Sequence, residues 1–195
     1  MRRLIVTEFV SADGVMEAPG GEPGFRHTGW VADHGGDGSA AHFGYKLDEV
    51  IEAESLRLGR VTYESFAGAW PEREGEFADK MNAMRKDVVS TTFTELEWEN
   101  SQLLEGDDVP AAVARLKEGE GGPILVAGSR TLVQSLYGHD LVDEYRLMTF
   151  PVVLGSGRRL FPDDAAEKTP LRLADTKVYG SGVLVLTYEP AREPL

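Results

Sequence analysis

The sequence predicts a single α/β domain whose sheet is mixed but mostly parallel, with helices on both faces and an antiparallel hairpin at the C-terminal end. Two patterns predict this class. Up to Asp143, short β-branched or apolar runs alternate with segments of helical periodicity, which is typical of a parallel sheet. Beyond Asp143, strand-like runs follow one another directly, and Gly180-Ser181-Gly182 would join the last two. The 195 residues, of which 42% are hydrophobic, suffice to build one hydrophobic core, so we expect a single domain over residues 1–195.

The first third of the chain predicts a core strand followed by a long loop. Residues 3–10 are β-branched and apolar, and they end in the turn Ser11-Ala12-Asp13-Gly14. Seven glycines and two prolines between residues 19 and 38 exclude a regular element, so we expect a loop or lid there. Apolar residues at helical spacing behind Ser39, a candidate N-cap, predict a helix over residues 40–54.

The remaining elements follow the same alternation. Asp108 as N-cap, Pro110 in the first turn and Gly119 past the end predict a helix over residues 108–118. The other predicted strands are 55–58, 87–90, 124–127, 144–153, 171–179 and 183–188, and the other predicted helices begin near residues 60, 77 and 130.

Composition narrows the function classes. The 33 acidic against 20 basic residues give a net charge of -13, which disfavours nucleic acids and anionic membranes as partners. There are no cysteines, so thiolate metal sites and cysteine nucleophiles are excluded. The four histidines lack a tight ligand spacing, and we expect no metal site. Without a signal-peptide pattern or a membrane-length apolar run, a cytoplasmic protein is expected.

Three predicted strand ends combine glycine or hydroxyl residues with a following helix or loop. They are Gly59-Arg60-Val61-Thr62, Ser90-Thr91-Thr92 and Gly128-Ser129-Arg130-Thr131. In an open α/β sheet the carboxyl ends of the strands gather where ligands bind, and glycine turns before helices suit phosphates. Arg60 and Arg130 could grip a phosphate, including the 2′-phosphate of NADPH, or could pair with a nearby glutamate.

These blocks, in order along the chain, carry a family resemblance. Together with Ser11-Ala12-Asp13-Gly14 and Pro151 to Gly157 they resemble the dihydrofolate-reductase-like family, which has a three-layer fold. The resemblance is strongest to the reductase C-terminal domain of bifunctional riboflavin-biosynthesis proteins and its stand-alone relatives. One departure is that Ser129 follows Gly128 where those reductases usually have a second glycine.

The resemblance implies NADPH as cofactor and a set of contacts to it. The implied cofactor residues are Phe9, Gly59, Arg60, Val61, Thr62, Ser90, Thr91, Gly128, Ser129, Arg130, Thr131 and Leu132. The implied substrate residues are Ser11, Gly14, Trp30, Gly155 and Gly157. A homodimer is also expected, because relatives commonly pair and the C-terminal strands would offer an apolar edge.

Hydride transfer needs mainly alignment, but protonation of the substrate could use a carboxylic acid. Asp13, at the end of the first strand, is the first candidate, and an Asx-turn is its alternative role. Asp33, Asp37 and Glu49 are further candidates by position. The expected activity is reduction of a 5-amino-6-(5-phosphoribosylamino)uracil or a related heterocycle. A dihydrofolate reductase-like enzyme and a non-catalytic nucleotide-binding regulator are the alternatives.

Overall fold

The computed structural model describes residues 1–34, 39–104, 108–163, 165 and 168–191. The end of the predicted loop, with Asp37, lies outside the described residues. The strands are β1 Leu4–Ser11, β2 Ser55–Gly59, β3 Arg85–Val89, β4 Ser101–Leu103, β5 Ile124–Ala127, β6 Glu144–Phe150, β7 Leu171–Val178 and β8 Leu184–Pro190. The helices are α1 Ser39–Glu52, α2 Arg60–Ala67, α3 Glu76–Ala83, α4 Val109–Glu118 and α5 Arg130–Leu136, besides a short 3-10 helix at Ala32–His34.

The described strands form one sheet in the order β4-β3-β2-β5-β1-β6-β8-β7. The six strands from β4 to β6 run parallel, whereas β8 is antiparallel to both β6 and β7. The mostly parallel sheet and its C-terminal antiparallel hairpin are therefore confirmed. The order changes direction around β1 and β5 at the centre, which places their carboxyl ends at a position where α/β folds bind ligands.

Alternation along β1 shows that helices cover both faces of the sheet. Leu4 and Val6 belong to one core cluster with Val113 of α4, and Ile5 belongs to another with Val50 of α1. Successive side chains of a strand point to opposite faces, so α4 and α1 lie on opposite sides. The predicted three-layer arrangement is confirmed.

The loop after β1 packs against the antiparallel end of the sheet. Trp30 is 2% exposed and clusters with Phe150 of β6 and Val185 of β8. Its Nε1 donates a hydrogen bond to the carbonyl of Glu17 at 2.9 Å. The described part of the loop is thus anchored by a core contact.

Local signals placed most element boundaries within two residues, and the exceptions are the end of β6 and the strand β4. Asp108 caps α4 as predicted, since its side chain accepts a hydrogen bond from the N–H of Ala111 at 3.0 Å. Ser39 is the first residue of α1 rather than its cap, and β6 ends at Phe150, before Pro151 removes a ladder donor. The short strand β4 was not predicted, and its pairing with β3 is a tertiary contact.

Within the described ranges the helices are too short or too polar to span a bilayer.

Candidate functional site

A groove of about 1550 Å³ runs across the carboxyl ends of β1, β2, β3 and β5. All three predicted glycine or hydroxyl junctions line it, together with residues of α1 and of the loop after β1. The lining includes each residue proposed for the cofactor: Phe9, Gly59, Arg60, Val61, Thr62, Ser90, Thr91, Gly128, Ser129, Arg130, Thr131 and Leu132. Turns that are far apart in the sequence therefore meet at one edge of the sheet.

The turn after β5 is bonded to the turn after β2. The Ser129 hydroxyl accepts a hydrogen bond from the N–H of Gly59 at 2.9 Å, and the Ser129 N–H donates to the Thr62 hydroxyl at 2.8 Å. Ser129 has a φ of 65° and a ψ of 42°, a left-handed conformation that costs energy in any residue with a Cβ. Its hydrogen bonds offset that cost, which explains how serine can stand where a second glycine was expected.

Gly128 allows the two turns to approach each other closely. Its φ is +60°, and a Cβ at this position would lie 3.0 Å from both Cγ2 and Oγ1 of Thr62. Helices α2 and α5 both begin beside this contact, and neither has a side-chain cap. The first N–H groups of α2 therefore have no side-chain acceptor at the groove wall.

The two arginines of the groove wall have partners at the surface. Arg60 bonds both carboxylate oxygens of Glu64 at 2.9 Å, and the Arg130 Nε donates to the carbonyl of Arg159 at 2.7 Å. The Arg60 side chain is 45% exposed, and exposed pairs at this spacing contribute only about 0.3–0.5 kcal/mol. Pairing with Glu64 therefore does not prevent Arg60 from binding a phosphate.

A buried polar cluster forms the floor of the groove between β1 and α1. The Thr7 hydroxyl bonds the Glu49 carboxylate at 2.9 and 3.1 Å, and the Lys46 ammonium lies 2.8 Å from Glu49 Oε2. Lys46 also donates to the Thr7 hydroxyl. Arg146 of β6 lies 3.6 Å from Glu49 Oε1. Glu49, a predicted proton-donor candidate, thus contacts one hydroxyl and two basic side chains.

Glu8 is a second buried carboxyl of the groove floor. It is 4% exposed, and its Oε1 has no hydrogen-bond partner. Burial raises the pKa of Glu8 well above its ordinary value, and the nearby Lys46 charge and the Gly128 N–H offset only part of that effect. Glu8 is not among the predicted site residues, although a charged side chain between Val6 and Val10 on one face of a buried strand is itself a signal.

Asp13 and four of the implied substrate residues lie at another place, outside the groove lining. The Asp13 carboxylate accepts hydrogen bonds from the Ser11 hydroxyl at 2.6 Å and from the N–H groups of Leu154 and Gly155 at 3.1 and 2.8 Å. We call residues 11–14 with 154–157 the clasp, because these bonds tie the end of β1 to the loop after β6. Gly14, Gly155 and Gly157 have positive φ angles in it.

The clasp determines the charge of Asp13. Hydrogen bonding by the Ser11 hydroxyl, aided by the N–H groups of Leu154 and Gly155, lowers the pKa of Asp13 to about 2. A carboxyl with this pKa is ionised at neutral pH and has no proton to donate, so the structure favours the turn role over the acid role. Trp30, the remaining implied substrate residue, is buried in the core and also lies outside the groove lining.

Metal binding has no support in the described residues, among which no group of three or more His, Asp or Glu side chains could hold an ion. His42, for example, is buried beside Phe43 and Phe150, and its Nδ1 lies 3.0 Å from the Ser181 hydroxyl.

Comparison with known proteins places this geometry in a family. The uncharacterized protein YyaP of Bacillus subtilis (strain 168) is 28% identical over 193 residues, which cover 96% of this chain and 94% of YyaP. A putative riboflavin biosynthesis protein from Shewanella sp. PV-4 has a solved structure that matches with a TM-score of 0.67 and 22% identity, over 97% of this chain and 99% of that one.

A third relative is longer than this chain. The diaminohydroxyphosphoribosylaminopyrimidine deaminase/5-amino-6-(5-phosphoribosylamino)uracil reductase of Thermotoga maritima matches with a TM-score of 0.63 and 10% identity, over 97% of this chain but 57% of that one. These structures share the dihydrofolate-reductase-like fold with this chain. The family model of the RibD C-terminal domain matches residues 2–185. The chain therefore belongs to the RibD C-terminal domain family.

Proposed function

We propose that this protein is an NADPH-dependent reductase of a small heterocycle, of the 5-amino-6-(5-phosphoribosylamino)uracil reductase type. The observation that carries the proposal is the convergence of three separate turns, at residues 59–62, 90–91 and 128–132, on one groove. Two of these turns are hydrogen-bonded to each other, so their relative positions are fixed before a ligand arrives. Membership of the RibD C-terminal domain family supports the same reaction class.

The residues fit a dinucleotide cofactor. Gly128 lets the turn after β5 pack against Thr62, and the start of α2, which has no side-chain cap, lines the same groove. Arg60 and Arg130 would hold phosphates, and Phe9 would lie against the nicotinamide. The cofactor would supply the hydride, and the protein would contribute binding, orientation and exclusion of water.

The floor of the groove fits a planar, polar heterocycle. Thr7, Lys46 and Glu49 offer a hydroxyl, an ammonium and a carboxylate side by side, while Phe9 and Phe43 contact edge to face at a centroid distance of 6.5 Å. Aromatic edges suit a flat ring, and the charged groups suit its N–H and carbonyl groups. Pyrimidines and pterins share this chemistry, and dihydrofolate is the second candidate substrate.

The first experiment measures cofactor binding by fluorescence and calorimetry for the wild type, Arg60→Gln and Arg115→Gln. Arg115 is a control, since it is an exposed arginine on α4 that lies outside the groove lining. We expect Arg60→Gln to weaken NADPH binding about three- to tenfold with NADH binding unchanged, and Arg115→Gln to change neither. Absence of NADPH binding by the wild type would refute both the proposed reductase and the dihydrofolate reductase-like alternative.

The second experiment follows NADPH absorbance with 5-amino-6-(5-phosphoribosylamino)uracil and with dihydrofolate. Turnover of the first compound supports the proposal, and turnover of dihydrofolate alone supports the alternative enzyme. Binding of NADPH without turnover of either compound favours a nucleotide-binding regulator.

We also propose that the protein forms a homodimer through β7. This strand is the last of the sheet, and Leu173 and Val178 on it are exposed. The edge is more polar than expected, since Arg172, Asp175 and Lys177 share it. Light scattering that shows a single 21.3 kDa species would exclude the dimer.

A further inference from the structure

Glu8 stands at a break in the sheet that opens into the groove. The pairing of β1 with β5 ends at Thr7 and Ala127, so Glu8 is the first residue of β1 beyond the end of β5. It lines the groove beside the Gly128 turn, and its neighbours on the same face, Val6 and Val10, are buried and apolar. A charged residue in this strand contributes nothing to packing that a valine would not.

The carboxyl of Glu8 lacks the partners that a buried carboxylate needs. Its Oε1 is buried and makes no hydrogen bond, in contrast to Glu49, which is bonded by Thr7 and Lys46. A buried carboxyl without sufficient donors is more stable as the neutral acid, as the raised pKa of Glu8 reflects. Glu8 is thus a carboxyl of the groove lining whose surroundings favour the protonated form.

We infer that Glu8 is the catalytic acid of the reduction, donating its proton to the nitrogen of a substrate C=N bond. The inference rests on the proposed function, which supplies NADPH as the reductant. The substrate carbon receives the hydride and forms a C–H bond, while the π electron pair of the C=N bond moves to nitrogen. That nitrogen forms an N–H bond with the proton of Glu8, whose O–H bond breaks.

The same surroundings restore the acid after each cycle. The carboxylate that Glu8 becomes after proton transfer is transiently stabilised by the positive charge of Lys46. Because burial disfavours the charged form, the carboxylate regains a proton from water when product leaves and the groove opens to solvent. The nicotinamide leaves oxidised, so one hydride and one proton are consumed in each turnover.

The test compares wild type, Glu8→Gln and Glu97→Gln with the substrate that the wild type turns over. Glu97 is an exposed glutamate outside the groove lining and controls for the loss of one charge. We expect Glu8→Gln to bind NADPH with a Kd within about threefold of the wild type but to lose about 10²- to 10⁴-fold in kcat. Glu97→Gln should match the wild type in both measurements.

The pH dependence of kcat separates an acid from a packing residue. In the wild type kcat should fall as the pH rises through the ionisation of Glu8, and in Glu8→Gln this limb should be absent. A Glu8→Gln variant that keeps at least about a third of kcat, or one that loses NADPH binding in parallel, would overturn the assignment. If Glu8→Gln does not fold, Glu8→Asp should keep the pH limb with a lower kcat, and absence of the limb there would overturn it instead.

The acid role of Glu8 can be refuted separately from the reductase activity. A wild-type protein without NADPH binding or turnover refutes the proposed reductase, and the acid role falls with it. A wild type that turns over while Glu8→Gln does so equally well refutes the acid role alone.

Discussion

The groove floor and the clasp each contain one carboxyl group from residues 8–13, but the two sites shift the pKa of that group in opposite directions. Asp13 is surrounded by three hydrogen-bond donors, which lower its pKa to about 2. Glu8, five positions earlier, is buried with an unpartnered oxygen, and its pKa is raised. Burial of Glu8 and hydrogen bonding to Asp13, and not the position at a strand end, decide which of the two can act as an acid.

The largest expected difference between the two regions concerns their glycines. Gly128→Ala should destabilise the protein by about 2–3 kcal/mol and weaken NADPH binding more than about tenfold, because the positive φ is strained and the new Cβ meets Thr62 at 3.0 Å. Gly155→Ala has a similar φ of +75° but nothing within 4 Å. It should cost about 1 kcal/mol and leave NADPH binding unchanged. Denaturant unfolding and calorimetry measure both, and equal effects on binding would remove the distinction between groove and clasp.

The next difference concerns the pH dependence of stability at Glu8. Because its pKa is raised on folding, the folded state is favoured while Glu8 is protonated, and this contribution is lost as the pH rises from the unfolded pKa of about 4.3 through the folded pKa. Glu8→Gln should therefore gain stability relative to the wild type as the pH rises, by about 2 kcal/mol at most. Thermal unfolding at several pH values between about 5 and about 8 measures this difference. A difference that does not change with pH would show that Glu8 is already ionised at the lower end.

These two regions also show how far the sequence could predict the site. Glycine and hydroxyl residues at strand ends located the groove wall, since turn chemistry is local and the parallel order of strands brings the turns together. The floor is different, because the contact of Thr7 with Lys46 and Glu49 depends on how α1 lies across the sheet. Asp13 was chosen for its position at a strand end, and its donors at residues 154 and 155 are more than 140 positions away.

The fold was more predictable than the site for the same reason. Periodicity and caps such as Asp108 fix helices and strands locally, and the right-handed crossover rule limits how they assemble. The sequence does not predict β4, because its three residues show little periodicity and form a strand only by pairing with β3.

A smaller effect separates two serines that play comparable roles in the two regions. Ser129→Ala should cost about 1.5 kcal/mol, because it leaves the Gly59 N–H without its acceptor and keeps the left-handed φ. Ser129→Gly loses the same bond but relieves the backbone strain, so it should cost about 1 kcal/mol less. Ser11→Ala removes a donor to Asp13 and an acceptor for the Val15 N–H without any strain to relieve. If Ser129→Gly is no more stable than Ser129→Ala, the hydroxyl alone maintains the turn.

The smallest expected effect is at Asp13. Asp13→Asn keeps the size of the side chain but replaces one acceptor oxygen with a donor, which faces the N–H of either Leu154 or Gly155, and we expect a loss of about 1 kcal/mol at neutral pH. Since the folded pKa is lowered, the contribution of the carboxylate is present above the unfolded pKa of about 3.9 and is lost as the pH falls towards about 2. In denaturant unfolding, the free energies of unfolding of the wild type and Asp13→Asn should therefore become equal at acidic pH. For Glu8→Gln, the difference from the wild type should instead change as the pH rises. NADPH binding and the pH profile of turnover should not change in Asp13→Asn. A changed profile would indicate that Asp13 takes part in proton transfer and would contradict the assignment of Glu8 as the acid.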